Sequence, residues 1–182
     1  MTHRPHGFSL VESVVTLAIA GTLVALGASS LADLFHGLRL QALSGNLFQQ
    51  VLLARSEAIK RNGRVVLCKS PDGHACADDG AWERGWILFQ DRNNSGSRES
   101  AEPVLERLHA LPPGWRLTAN TPVGRYVSYG PTGGARMAQS GAFQAGTFTL
   151  CRASTERTEA RQIIINAGGR PRVQKVWLDH CY

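Results

Sequence analysis

The chain has 182 residues, 43% of them hydrophobic and 19% charged, an apolar content that excludes a wholly disordered chain. Its 19 glycines and 8 prolines set many turns and argue against a plain helical bundle. The only Lys, Arg, Asp or Glu residues before position 36 are Arg4, Glu12 and Asp33, so residues 36–182 carry 19 basic and 12 acidic side chains, a net +7 that favours anionic partners such as nucleic acid or phospholipid headgroups.

In chain order, Met1-Thr-His-Arg-Pro-His-Gly7 comes first, then Phe8-Ser-Leu-Val-Glu12, then 20 residues from Ser13 to Ala32 without a charge. That run is long enough to cross a bilayer as a helix. Arg4 stays on the cytoplasmic side by the positive-inside rule, which places the C-terminal part on the far side. A secretory signal peptide would put a small-residue cleavage site after the apolar run, whereas Gly7 precedes it. An ordinary anchor leaves Glu12 unexplained, because a carboxylate in lipid is costly and takes a partner.

The segment Gly7-Phe8-Ser-Leu-Val-Glu12 resembles the class III signal of type IV pilins and type II secretion pseudopilins. The resemblance implies cleavage by a prepilin peptidase between Gly7 and Phe8 and methylation of the new N-terminus at Phe8. It gives Glu12 an assembly role, neutralising the N-terminal amine of a neighbouring subunit. An ammonium and a carboxylate that are both desolvated stabilise each other far more than lipid stabilises either alone.

Beyond the apolar run, Leu40, Leu43, Leu47, Val51, Ala54 and Ala58 recur at spacings of three and four, an amphipathic stripe. Asn62-Gly63 reads as the C-cap, after basic residues suited to the negative end of the helix. One helix of about 50 residues is therefore predicted. Strands are predicted at 65–68, 85–91, 103–108, 114–118, 125–129, 146–152, 162–166 and 172–178, with turns at Pro112-Pro113, Pro131–Gly134 and Gly168-Gly169 between them. The fold class is α+β, a long N-terminal helix packed against an antiparallel, β-rich globular domain. Asp91-Arg-Asn-Asn-Ser-Gly96 is read as a plain turn, without the spaced carboxylates and terminal Glu of a calcium loop. Gly85-Trp86 with Phe89 and Asp91, and Tyr129-Gly-Pro131 with Gly133, resemble recurrent core and turn features of FimT/GspH-type minor pilins and pseudopilins. The expected divisions are a leader at 1–7, a membrane or filament-core half-helix at 8–35, and a periplasmic domain at 36–182. That domain consists of an amphipathic half-helix to residue 62 and a β-rich part from 63.

Four cysteines, Cys68, Cys76, Cys151 and Cys181, follow the apolar run, an even number consistent with two disulfides in an exported domain. Three pairings exist, and the local Cys68–Cys76 with the C-terminal Cys151–Cys181 is favoured. Cys68, His74 and Cys76 lack a fourth ligand and a zinc spacing, so no metal site is expected. Ser128 is in no nucleophile elbow, the histidines are scattered and Gly168-Gly169-Arg170 lacks a Walker lysine, so neither an enzyme nor a cofactor is expected.

Gly168-Gly169-Arg170-Pro171-Arg172 carries the sharper signal. Pro171 pushes Arg170 towards an extended conformation, and in an extended chain Arg170 and Arg172 project to one side. Two guanidiniums so placed engage adjacent phosphates, each by a bidentate fork. The two glycines permit a tight turn and a close backbone approach to a ligand. In the FimT branch a C-terminal Gly-Arg-x-Arg motif binds DNA in natural transformation, and Gly169, Arg170 and Arg172 match it. Arg136, Arg152, Arg161 and Lys175 are candidates to widen the patch. The resemblance implies double-stranded DNA, other pilins, the prepilin peptidase and the inner membrane as partners. It implies a single-pass inner-membrane protein with a periplasmic domain, later assembled into an extracellular pilus. The competing expectation is a GspH-like pseudopilin, or a minor pilin that primes assembly, without DNA binding.

Overall fold

Helix α1 runs over Leu10–Lys60. The computed structural model of the chain describes residues 9–182, apart from the side chains of 24–30, 32 and 33. Gly7, Phe8 and the rest of the leader lie outside the described residues, as do those side chains of the apolar run. Among the described residues, no helix is long and apolar enough to cross a membrane. The Ser9 hydroxyl caps the first turn by accepting the Glu12 amide at 3.2 Å, which makes Ser9-Leu-Val-Glu12 one half of a capping box. The glutamate expected to act in assembly thus stands three residues inside its own helix start. At the other end Asn62 takes a positive φ of 47°, the Asn62 amide bonds the Ile59 carbonyl and the Gly63 amide bonds the Ala58 carbonyl. This is a Schellman stop with Asn in the left-handed position.

The chain divides into two compact units, Met1–Arg39 and Leu40–Tyr182. In the second unit Leu40, Leu47, Val51, Ala54 and Ala58 are buried, the stripe expected from the spacing, with Leu43 packed at its margin.

Eight strands follow, β1 (Arg64–Lys69), β2 (Trp86–Asp91), β3 (Val104–Leu108), β4 (Trp115–Ala119), β5 (Tyr126–Tyr129), β6 (Gly146–Arg152), β7 (Thr158–Ile165) and β8 (Pro171–Leu178). Each predicted strand is present, and β7 begins four residues earlier than its apolar run suggests. They form two antiparallel sheets in the orders β3-β2-β1-β5 and β4-β6-β7-β8. The helix stripe and the inner faces of both sheets meet in one core, with Leu67, Leu88 and Val127 from the first sheet and Leu117, Phe148, Leu150, Ile163 and Ile165 from the second. A one-turn helix at Trp82–Arg84, in the connection between β1 and β2 of the first sheet, packs against β4 and β6 of the second. Trp82 is 2% exposed, its ring meets Phe148 edge-on at 4.9 Å, and its indole N–H donates to the Gly124 carbonyl at 3.1 Å. The Glu83 carboxylate accepts the Leu117 amide of β4 at 3.1 Å.

Both favoured disulfides are present. Cys68–Cys76 has a Cα separation of 5.6 Å and Cys151–Cys181 one of 6.3 Å, both within the normal span. Cys151, Ala160 and Cys181 form a small cluster on the outer face of the second sheet, and paired backbone bonds between Ser154 and Cys181 hold the C-terminal segment there.

Candidate functional site

The β7–β8 hairpin turns through Asn166–Arg170. The Asn166 carbonyl accepts the Gly169 amide at 2.8 Å, and the Asn166 amide donates to the Arg170 carbonyl at 3.3 Å. The Asn166 side-chain oxygen accepts the Arg170 amide at 3.0 Å. These bonds carry the ladder one rung beyond Ile165↔Pro171, so Arg170 is extended, as the proline implies. Residues directly opposite in the ladder share a face. Ile163 and Ile165 point into the core, and Ile164, opposite Arg172, points the other way. Arg170 and Arg172 therefore both project from the outer face, and both are exposed. No ion pair ties either to an acid among the described residues.

Gly169 is buried and has φ of 76°. A Cβ there would overlap the Gly133 carbonyl oxygen and stand 2.8 Å from Tyr129 Cε1 and 2.9 Å from the Ala135 amide. The close approach that this glycine permits is thus to the chain's own Gly130–Gly134 loop rather than to a ligand. Tyr129 is buried, its hydroxyl lacks a hydrogen-bond partner among the described residues, and burial pushes its phenol above the ordinary range. Gly133 in turn lies against α1, where its own Cβ would meet Ile59 Cδ1 at 2.8 Å and Arg55 Nε at 3.0 Å. The hairpin, the loop and the helix are thus stacked in contact, and the stack sets where Arg170 begins.

The flanking basic candidates are mostly placed elsewhere. Arg161 and Lys175 are opposite one another on the inner face, the other side of the sheet from Arg172, and share Glu159 at 2.7 and 2.6 Å. Arg152 is opposite Trp115 at the far end of β6, also on the inner face. Arg136 alone is brought to the hairpin's end of the domain. It stacks 3.9 Å above Phe143, and its Nε would lie 3.9 Å from a Cβ on Gly134.

The turn after β2 is longer than the expectation of a plain turn at Asp91–Gly96. Asp91, Asn93, Ser95, Gly96, Glu99 and Glu102 stand at positions 1, 3, 5, 6, 9 and 12 of a calcium-loop spacing, so the terminal Glu does exist. That signal was legible six residues beyond Gly96. The buried carboxylates are turned onto the backbone. Asp91 accepts the Ser95 and Gly96 amides, and Glu102 accepts those of Arg92 and Glu99. Burial raises the Asp91 carboxyl above its usual range against the pull of those amides, and Glu102 adds to the rise. Among the described residues no three His, Cys, Asp or Glu side chains converge as a metal-binding group.

The family model described as "Type II transport protein GspH" matches residues 44–169, well over half of the chain. The chain belongs to the GspH family. This GspH-family chain also has the fold of the type IV minor pilin FimU of Pseudomonas aeruginosa. One crystal form of FimU aligns with a TM-score of 0.57 at 18% identity over 79% of this chain and 96% of FimU. A second aligns with a TM-score of 0.56 at 18% identity over 79% and 100%. At that identity the likeness is one of fold. No curated protein sequence matches. The family span takes in most of the amphipathic half of α1, from residue 44, seven strands and the Gly130–Gly134 loop, and it stops at Gly169. Arg170, Arg172 and the second disulfide's Cys181 lie beyond it, so membership of the GspH family accounts for the scaffold and is silent on the arginine pair.

Proposed function

We propose that this GspH-family chain is a FimT-like minor pilin whose Gly169-Arg170-Pro171-Arg172 hairpin binds extracellular double-stranded DNA for uptake in natural transformation. The observation that carries this reading is the pair of exposed guanidiniums, free of acidic partners among the described residues, on one face of a hairpin seated by Gly169. A fork of donors on each arginine suits phosphate, and phosphate contacts carry no base information, so binding is largely independent of sequence. The net +7 of residues 36–182 adds a general attraction.

The test is fluorescence anisotropy with unrelated duplexes of about 20 base pairs, on the full chain in neutral detergent. Each phosphate contact contributes about 0.9 to the slope of log affinity against log salt. Arg170→Ala with Arg172→Ala is expected to lower affinity at least about tenfold and flatten that slope by about 1.8, with thermal unfolding unchanged. A folded double variant that holds DNA as tightly as the parent rules out the hairpin as the site. The printed description of the family, a type II transport protein, favours a second reading as a pseudopilin acting through protein contacts alone. A parent chain that fails to bind duplex even at low salt would establish that reading.

Delivery belongs to the same proposal. Cleavage by a prepilin peptidase after Gly7, methylation at Phe8, anchorage in the inner membrane through the run Ser13–Ala32, and docking of Glu12 on a neighbouring pilin's amine together bring the domain into a pilus. Mass spectrometry of the mature chain is expected to find methylated Phe8 at its N-terminus. An intact Met1 in assembled protein contradicts this route.

A further inference from the structure

The end of the domain that carries the hairpin has a second basic feature. A cleft of about 440 Å³ opens between the stop of α1 and the turn after β2, with Arg61, Arg64, Arg92, Asn62, Asn94 and Pro131 among its lining residues. Three arginines line it against a single lining carboxylate, Asp91, which is 1% exposed and has both oxygens occupied by backbone amides. Arg64 is held rigidly. Its Nε donates to Asn94 Oδ1 at 2.7 Å, and its Nη1 donates to the Arg136 carbonyl at 3.0 Å and to the Ser128 hydroxyl. Arg61 leans on Glu57 through Nε at 2.5 Å, which lowers the Glu57 carboxyl's pKa. Arg92 is exposed, and among the described residues only its backbone amide is engaged, by Glu102. The helix end contributes little negative potential, because the Ala58 and Ile59 carbonyls are capped.

The cleft and the arginine pair flank one short loop. Pro131 lines the cleft, and Gly133, two residues on, is the residue against which Gly169 is pressed. Two residues span at most about 7 Å, and strand phosphates recur every 3.4 Å along a duplex axis. A strand that crosses this loop from the hairpin would carry its further phosphates past the cleft.

We propose that the Arg61–Arg64–Arg92 cleft is a second phosphate-binding station for the DNA that the Arg170–Arg172 hairpin holds, so that the bound strand crosses the Gly130–Gly134 loop. The inference rests on the DNA-binding reading and extends its footprint to the end of α1. Arg64 is a fixed wall of the station, and Arg61 and Arg92 supply its other two charges.

The test is salt-dependent anisotropy of the full chain in neutral detergent with a 20-base-pair probe. Arg61→Ala with Arg92→Ala is expected to weaken binding about tenfold near 0.1 M salt and to reduce the slope by about 1.8. Arg92→Ala alone, which leaves the Glu57 pair intact, is expected to remove about 0.9. The control is Arg157→Ala with Lys175→Ala, which removes two charges beside Trp177, on the inner face of the sheet. If the control falls as far as the cleft variant, or the cleft variants keep the parent slope while loss of Arg170 and Arg172 abolishes binding, the second station is overturned and the hairpin reading stands. If the parent binds no duplex, both are overturned.

Discussion

Gly169→Ala is expected to lower the unfolding free energy by about 3 kcal/mol and to weaken duplex binding in the same variant. Two costs add. A residue with a side chain held at φ of 76° pays about 1 kcal/mol in left-handed strain. The new methyl then drives into backbone atoms of the facing loop, the Gly133 oxygen and the Ala135 nitrogen, which cannot swing aside as a flexible side chain would, for about 2 kcal/mol more. Relief requires the hairpin to lift off the loop, which displaces Arg170 and Arg172 together. Gly168→Ala is the matched control, because its Cβ would meet only Asn166 Oδ1, at 3.4 Å, and it is expected to change stability by under about 1 kcal/mol. Denaturant midpoints of the two variants decide the matter, and equal midpoints contradict the interlock.

Trp82→Ala is expected to cost about 4 kcal/mol, read from the same denaturant curves, with Trp82→Phe losing roughly half as much. Removing a fully buried indole forfeits its transfer energy and leaves a cavity that the two sheets close only in part. It also strips the Gly124 carbonyl of its donor and ends the edge-on contact with Phe148. The phenylalanine variant keeps most of the apolar volume and loses the donor. A change below about 1 kcal/mol for the alanine variant would show that the Trp82–Arg84 turn does not hold the second sheet against the first.

Much of the scaffold was legible because its signals are local. The three-and-four spacing from Leu40 to Ala58 marks the buried stripe, and Asn62-Gly63 marks its stop. The Trp82–Arg84 and Thr121–Val123 turns went unpredicted because a three-residue helix has no periodicity to read. Nor does a strand's own pattern say which partner it takes, so the division into two sheets, with β5 on β1 rather than on β4, was not visible. At the arginine pair the extended geometry followed from Pro171. The proposed widening by Lys175 overlooked parity, since five residues from Arg170 put it on the opposite face. Arg161 was overlooked as a partner of Glu159, two positions away on the same strand. The reason for Gly169 needed the Gly130–Gly134 loop in place, a contact 36 residues distant in the chain between Gly133 and Gly169.

The Cys151–Cys181 bridge also bears on how the edge of the second sheet is held. Its two sulfurs are 30 residues apart, and the whole of β7, the hairpin turn and β8 lie between them. In the folded chain the Cα atoms of the two cysteines are 6.3 Å apart, aligned by the β6–β7 and β7–β8 ladders and by the pairing of the tail with Ser154. Oxidation therefore works as a latch: it closes the loop that carries the arginine-bearing hairpin and ties the segment after the edge strand β8 covalently to β6, whereas the reduced chain holds that edge by hydrogen bonds and packing.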